Sequence, residues 1–331
     1  MIKAALNYDL FFKIANHNFT VVGVDASYTE PYLTDLIVIA PGQSADVLFT
    51  ANQPIGSYYM VASPYVVALE HFDANIARGT VIYDNTPPSS KPVMPILPPF
   101  NDTDTAYKFY TEITSNVRAP YWVPVPPKVD EHMFITIEFN LELCDSKNLA
   151  NATCLGPHGH RYSASMNNEL SGVYTTDFPD KPPIMFDFTN PNNAQDKKLL
   201  FAPKSIKAKK LRFNSTVEIV LQNTALLRGQ NHPMHFHGYS FHVLALGFGN
   251  FNNATDRAKF NLVNPQLRNT VGVPMGGWTV IRFQANNPGV WLVHCHMEDH
   301  VPWGLAMTFE VENGPTPSTS VPPPPPDLPK C

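Results

Sequence analysis

The sequence predicts an all-β protein built of two Greek-key β-sandwich domains. Three observations predict it. Thirty-three prolines in 331 residues punctuate the chain, about twice ordinary usage. Short runs of β-branched and aromatic residues recur between Pro, Gly and Asn turn clusters, as strands of a sandwich do. Charged residues make up only 15%, and the length is enough for two sizeable cores.

Strand-like runs in the N-terminal part are Phe19–Val24, Leu36–Ile39, Ala45–Phe49, Tyr58–Ala62 and Thr80–Tyr83. Pro87-Pro88-Ser89-Ser90-Lys91-Pro92, continuing to Pro98-Pro99, then reads as a stiff extended linker. The C-terminal part carries Met133–Phe139, Thr216–Leu221, Phe241–Leu246, Trp278–Phe283, Val290–His296 and Leu305–Val311. The Pro/Ser-rich tail from Thr316 to Pro326 is expected to lie extended on the surface.

Two histidine clusters carry the chemistry. One reads Asn231-His232-Pro233-Met234-His235-Phe236-His237-Gly238, the other His294-Cys295-His296-Met297-Glu298-Asp299-His300. One thiolate with two imidazoles is the trigonal set of a blue-copper site. The run Val290–Val293 reads as a strand entering the second cluster, and side chains along a strand alternate between faces. Cys295 therefore points one way, and His294 and His296 the other, so one segment can touch two metal centres. His235 and His237 likewise share a face. His232, across a Pro233 turn, and His300, where the chain curls back, are expected at the thiolate. Structural zinc would favour several thiolates or a C-x-x-C pair, and neither is present. His242, within Phe241–Leu246, reads as a core histidine, and Met307 as a core methionine.

These residues resemble the last two of the four copper motifs of the multicopper oxidases, H-P-x-H-x-H-G and H-C-H-x-x-x-H, and in particular those of the plant laccases. The resemblance runs from Ala4-Ala5-Leu6-Asn7 to Leu328-Pro329-Lys330-Cys331. It implies type 1 copper ligands at His232, Cys295 and His300, a type 2 ligand at His235, and type 3 ligands at His237, His294 and His296. Leu305, ten residues after Cys295, matches the axial position of the type 1 copper. A non-coordinating residue there resembles laccases more than ascorbate oxidases or ferroxidases. Glu298 matches an acid that aids proton delivery during oxygen reduction.

The resemblance further implies sandwiches of the cupredoxin type: residues 1–86 as a second laccase domain incomplete at its N-terminus, 87–127 as a linker, and 128–331 as the C-terminal domain holding the ligands. Met1-Ile2-Lys3-Ala4-Ala5-Leu6 looks like the middle of a strand of that second domain. The family's other two His-x-His motifs are not in this sequence. His17, His71 and His132 stand singly, and the pair His158/His160 lies in a Gly/Pro-rich stretch expected to be an exposed loop. The chain is thus expected to be part of a laccase, with half the imidazoles of the trinuclear cluster. Four coppers are implied for the complete enzyme, and one, at the type 1 site, for this chain.

A net charge of −5 provides no basic field for nucleic acid, and no apolar run approaches a membrane span. Five sequons, at Asn18, Asn101, Asn151, Asn214 and Asn253, and a local Cys144/Cys154 pair suit an oxidising, secreted setting. In the family Cys331 resembles the residue that pins the tail to the first domain. The expected activity is one-electron oxidation of phenols, such as lignin precursors, coupled to reduction of O2 to water by a monomer. His300 would take the electron at an exposed substrate groove, and Cys295 would pass it through His294 and His296. The alternative is a chain with a single type 1 copper that transfers electrons without reducing O2.

Overall fold

The structure is a computed structural model that describes residues 1–67, 72–144, 154–168, 170–175, 177–202, 204–227 and 229–329. The first sandwich is made of β1 (Asp9–Ile14), β2 (Phe19–Val24), β3 (Ser27–Thr34), β4 (Ile37–Ile39), β5 (Ala45–Phe49), β6 (Ser57–Tyr65) and β7 (Ala77–Ile82). Its sheets run β4-β1-β6-β7 and β3-β2-β5. Alternation along β1 and β2 sends Phe11, Phe19 and Val21 between the sheets, where Ile37 and Tyr58 join them.

Helix α1 (Thr103–Glu112) lies within the stretch read as linker. The Asp102 carboxylate caps it by accepting from the Thr105 N–H at 3.0 Å. Ala106 and Phe109 of the helix, with Ile113, enter the core of the first sandwich; burial of the phenyl alone is worth about 2–3 kcal/mol. The preceding proline-rich run is neither helix nor ladder, apart from one bridge between Val93 and Tyr58. Residues 87–127 are thus in part packed structure rather than a spacer. The difference arises because Thr- and Tyr-rich helices have weak propensity and form through tertiary burial.

The second sandwich contains β8 (Glu131–Glu142), β9 (Arg161–Met166), β10 (Leu170–Thr175), β11 (Lys204–Leu211), β12 (Thr216–Asn223), β13 (His232–Phe236), β14 (Phe241–Phe248), β15 (Gln266–Arg268), β16 (Thr270–Val273), β17 (Gly277–Gln284), β18 (Gly289–Cys295) and β19 (Ala306–Val311). Short helices α2 (Lys197–Leu200) and α3 (His300–Trp303) sit in its connections. One sheet runs β10-β11-β19-β18-β13-β16 and the other β15-β14-β17-β12-β8-β9. Between them lies a core that includes Ile135, Ile219, Phe236, Phe283, Phe309 and Cys295. The tail is exposed, with one turn at Pro317–Thr319 closed by Thr316 and Thr319 instead of a continuous extended run.

The two sandwiches meet across polar contacts. Asp25 faces Arg268 at 3.4 Å, the Gln43 side chain donates to Thr270 O at 3.1 Å, and the Ser115 hydroxyl donates to Pro265 O at 2.7 Å.

Candidate metal centre

β13 and β18 are antiparallel neighbours, with Met234 opposite Cys295 and His235 opposite His294. Alternation along β18 turns Val293 and Cys295 inward, both 0% exposed. Along β13 it turns His232, Met234 and Phe236 to the same buried side. Pro233 is therefore a strand residue and not the turn expected from the sequence. It needs no N–H there, and its carbonyl accepts from the His296 N–H at 2.7 Å. His232 reaches the thiol by the period of the strand itself.

His300 opens α3, which Gly304 closes at φ 115°. Glycine adopts that left-handed conformation without steric cost, and the Leu305 N–H then donates to His300 O at 3.0 Å. The chain curls back, so Cys295 Sγ lies 3.2 Å from His300 Nδ1 and 3.7 Å from His232 Nδ1. These separations suit nitrogen and sulfur ligands placed at about 2.0 and 2.3 Å from one ion.

Burial governs the protonation of this set. It pushes His232 well below the ordinary imidazole range, helped by the neighbouring His300, and lowers His300 to about 3. It pushes the Cys295 thiol up, against the Met297 backbone N–H, with Asp299 and Asp9 adding to the rise. The imidazoles are thus ready as neutral ligands, whereas the thiolate needs a cation to hold its charge. One soft thiolate and two imidazoles, with these three groups alone forming the cluster among the described residues, fit copper. They fall short of the four donors of structural zinc.

The other imidazoles lie on the reverse side of the same strands. His235 is 4.7 Å, ring centre to ring centre, from His237, and 5.6 Å from both His294 and His296. His237 Nε2 and His294 Nε2 are 3.2 Å apart, a spacing that two imidazoles bound at about 2 Å to one ion can take. The tautomers follow from the acceptors. His235 Nδ1 is 3.0 Å from Asn269 O, and His294 Nδ1 is 2.8 Å from Cys295 O. A carbonyl only accepts, so both Nδ1 atoms carry the proton and both Nε2 atoms are free to ligate. Burial, reinforced by the neighbouring imidazoles, brings His235 down to about 4.

Other sequence expectations have definite outcomes. Leu305 and Met307 are buried in the core that holds Cys295. His242 is buried, its pKa lowered to about 4 by desolvation and the nearby Arg282. Glu298 is exposed, and its backbone N–H donates to Leu6 O at 3.2 Å. His158 is exposed, while His160 is half-buried against Phe201. His17 is buried between Ala15 O and the Tyr83 hydroxyl, and His132 pairs with Glu218 at 3.2 Å. Cys144 and Cys154 form a disulfide. His71 and Cys331 lie outside the described residues.

The expected exposure of His300 is also corrected. His300 is 1% exposed and does not present its ring at an open groove. Phe139 and Trp303 cover it at 4.9 and 5.3 Å between ring centres, and Asp299 Oδ1 sits 3.7 Å from its Nε2. Sequence reasoning also passed over Asn231, Asn269 and Thr270, which hold or adjoin the ligand-like histidines. Asn231 precedes the first motif directly and was the one available signal; Asn269 and Thr270 are distant in sequence and become neighbours only through the β13–β16 pairing.

Comparison with known proteins agrees with this geometry. Two multicopper oxidase family models match residues 1–86 and 177–315. The chain is 53% identical to Laccase-7 and 51% identical to Laccase-9 of Arabidopsis thaliana, and 46% identical to Laccase-24 of Oryza sativa subsp. japonica. Each match covers all of this chain but only 60–61% of the relative, so the chain spans about three fifths of the length of these proteins. The laccase of Botrytis aclada superposes with TM-score 0.61 at 23% identity, over 93% of this chain and 50% of that one. Fet3p, a multicopper oxidase that functions in iron import, superposes with TM-score 0.60 at 20% identity, over 94% and 54%. These structural likenesses bear on the cupredoxin fold, and the matched models, together with the Cys–His constellation on β13, β18 and α3, assign the chain to the multicopper oxidases.

Proposed function

We propose that this chain carries the electron-entry site and part of the oxygen-reducing site of a laccase-type copper oxidoreductase acting on phenols such as lignin precursors. The observation that supports this best is the division of β18: the Cys295 thiol meets His232 and His300 on one side, and His294 gathers with His235, His237 and His296 on the other. In this reading His232, Cys295 and His300 are type 1 ligands, with Leu305 as the axial non-ligand. His235 is a type 2 ligand, and His237, His294 and His296 are type 3 ligands. Residues 1–86 and 128–331 act as the two cupredoxin domains, joined through 87–127.

Copper bound at these groups would accept electrons singly and deliver them to O2, giving water. The protein's own part is to bury, orient and connect. Cys295 offers the short route: its carbonyl accepts from His294 Nδ1 at 2.8 Å, and its backbone leads directly to His296. Glu298, electrostatically coupled to His294, supplies protons on the reducing side. With His300 covered, an electron from a phenol enters through the thin layer of Trp303 and Asp299.

The second set holds four imidazoles in this sequence, so a complete trinuclear cluster needs ligands from outside it. This favours a second reading, in which the chain by itself binds one type 1 copper and transfers electrons without reducing O2. The disulfide and the exposed asparagines of the sequons at 18, 101, 214 and 253 support secretion. No helix among the described residues is long and apolar enough to cross a membrane.

Copper loading tests the assignment. The loaded chain is expected to show the intense visible band of a copper–thiolate bond, and Cys295→Ser is expected to abolish it. A band that survives C295S would refute the ligand set. A copper count near one per chain, without phenol-dependent O2 uptake, would select the second reading.

A further inference from the structure

The first sandwich reaches the imidazole set at two points, directly where Gly42 meets His296 and through Thr270 of the second sandwich. Thr270 is 0% exposed and opens β16. Its N–H faces Asp25 Oδ2 at 3.4 Å, and its carbonyl accepts from Gln43 Nε2 at 3.1 Å. Gln43 is itself anchored, because its Oε1 accepts from the Ala40 N–H at 3.0 Å. The Thr270 hydroxyl is 2.9 Å from His235 Nδ1, 2.9 Å from Asn269 Oδ1 and 3.4 Å from Gly42 O.

That hydroxyl has one proton to donate. His235 Nδ1 carries a proton of its own, so the hydroxyl accepts from His235 and donates to Asn269 Oδ1, the nearer of the two oxygens. Gly42 completes the contact. At φ +79° it passes so close to the His296 ring that a Cβ there would lie 2.2 Å from Cδ2. Residues 40–44 and Asp25 of the first sandwich thus grip Thr270 and abut His296, while Thr270 grips His235.

We infer that Thr270 is a positioning residue: it transmits the docking of the first sandwich to the His235 imidazole and fixes the ring orientation, while Asn269 O sets the tautomer that leaves Nε2 free. The inference rests on the reading of His235, His237, His294 and His296 as copper ligands. A hydrogen-bond partner of this kind, one step removed from the metal, is worth about 10–100-fold in metal affinity.

The test is a titration of the full chain with Cu2+ against a competing chelator. The thiolate visible band reports the Cys295 set, and the ordinary Cu2+ electron paramagnetic resonance signal reports the imidazole set. Thr270→Val keeps the shape and removes the hydroxyl. It is expected to weaken the imidazole-set signal about 10–100-fold with the midpoint of the thiolate band unmoved, and Thr270→Ser is expected to restore it. Gln43→Met, which releases Thr270 from the other side, is expected to weaken the same signal, and serves if T270V does not fold. Wild-type affinity in T270V and Q43M overturns the inference and leaves the copper reading standing. Loss of both signals together also overturns it, since that marks a purely structural role. Absence of the ordinary Cu2+ signal from the wild-type chain selects the reading in which this chain by itself holds type 1 copper alone, and overturns this inference with it.

Discussion

Leu305 shows how much a single side chain can decide. It is 0% exposed in the core that contains Cys295, and its carbonyl accepts from the Cys295 N–H at 3.2 Å. An alkyl group there offers no donor to a metal held by the thiol and two imidazoles. Leu305→Met conserves volume, so the stability cost is expected to stay below about 1.5 kcal/mol. The thioether, by contrast, would add a further donor at a position that tunes the potential, and an added lone pair stabilises the more highly charged copper state more than the reduced one. The reduction potential of the copper-loaded chain is therefore expected to fall in L305M, with urea unfolding nearly unchanged. A potential that stays put, measured by redox titration of the visible band, would mean that Leu305 does not occupy the axial direction. The ligand-like residues were legible in the sequence because their spacing is local: His294, Cys295 and His296 need only the period of a strand. Thr270 was not, since its importance comes from Asp25, Gln43 and His235, none of them near it in the chain.

At the scale of elements, legibility followed the alternation. β2 and β5 match their sequence readings residue for residue, because Phe19–Val24 and Ala45–Phe49 are bounded by polar turns. β3 carries Pro31 and β11 is lysine-rich, so local pattern hid both. β8 shows a subtler limit. Met133, Ile135, Ile137 and Phe139 face the main core, as the alternation predicts, yet the reverse face, with Thr136, Glu138 and Asn140, is also buried. Among the described residues neither Glu138 carboxyl oxygen has a partner within hydrogen-bonding geometry, and desolvation raises its pKa from 4.5 to about 7, only partly offset by the nearby Thr136, Asn140 and Ser165 side chains. A folded-state pKa above the unfolded one means that the folded chain holds the extra proton. The associated stability is present below about pH 4.5 and is lost as pH rises through about 7. At ~1.4 kcal/mol per pH unit this is roughly 3 kcal/mol. Glu138→Gln removes the titration, so urea unfolding is expected to show E138Q gaining on the wild type between pH 5 and 8. Parallel stability curves for the two proteins would contradict the assignment.

At the scale of the molecule, the question is whether the two sandwiches unfold together. Asp25 and Arg268 form a buried pair across their boundary, with side chains 1% and 3% exposed. Asp25 sits at φ 45°, a conformation that Asp and Asn tolerate better than most residues, and its Oδ1 accepts from the Ser44 N–H at 2.9 Å. Asp25→Asn therefore keeps the backbone and one hydrogen bond while removing the charge. It leaves the Arg268 guanidinium buried without its counter-ion, and breaking a buried pair in this way costs about 3–5 kcal/mol. Because the cost falls on the boundary and not inside either core, it weakens cooperation between the sandwiches more than it weakens either one. Calorimetry is expected to show one transition in the wild type and two in D25N. Adding Arg268→Met removes the stranded charge, and the double variant is expected to recover most of the lost stability. A single transition in D25N with an unchanged midpoint would show that the pair contributes nothing to coupling. The cohesion of the boundary would then fall to the remaining contacts, among them Gln43 with Thr270, Ser115 with Pro265 and Glu298 with Leu6.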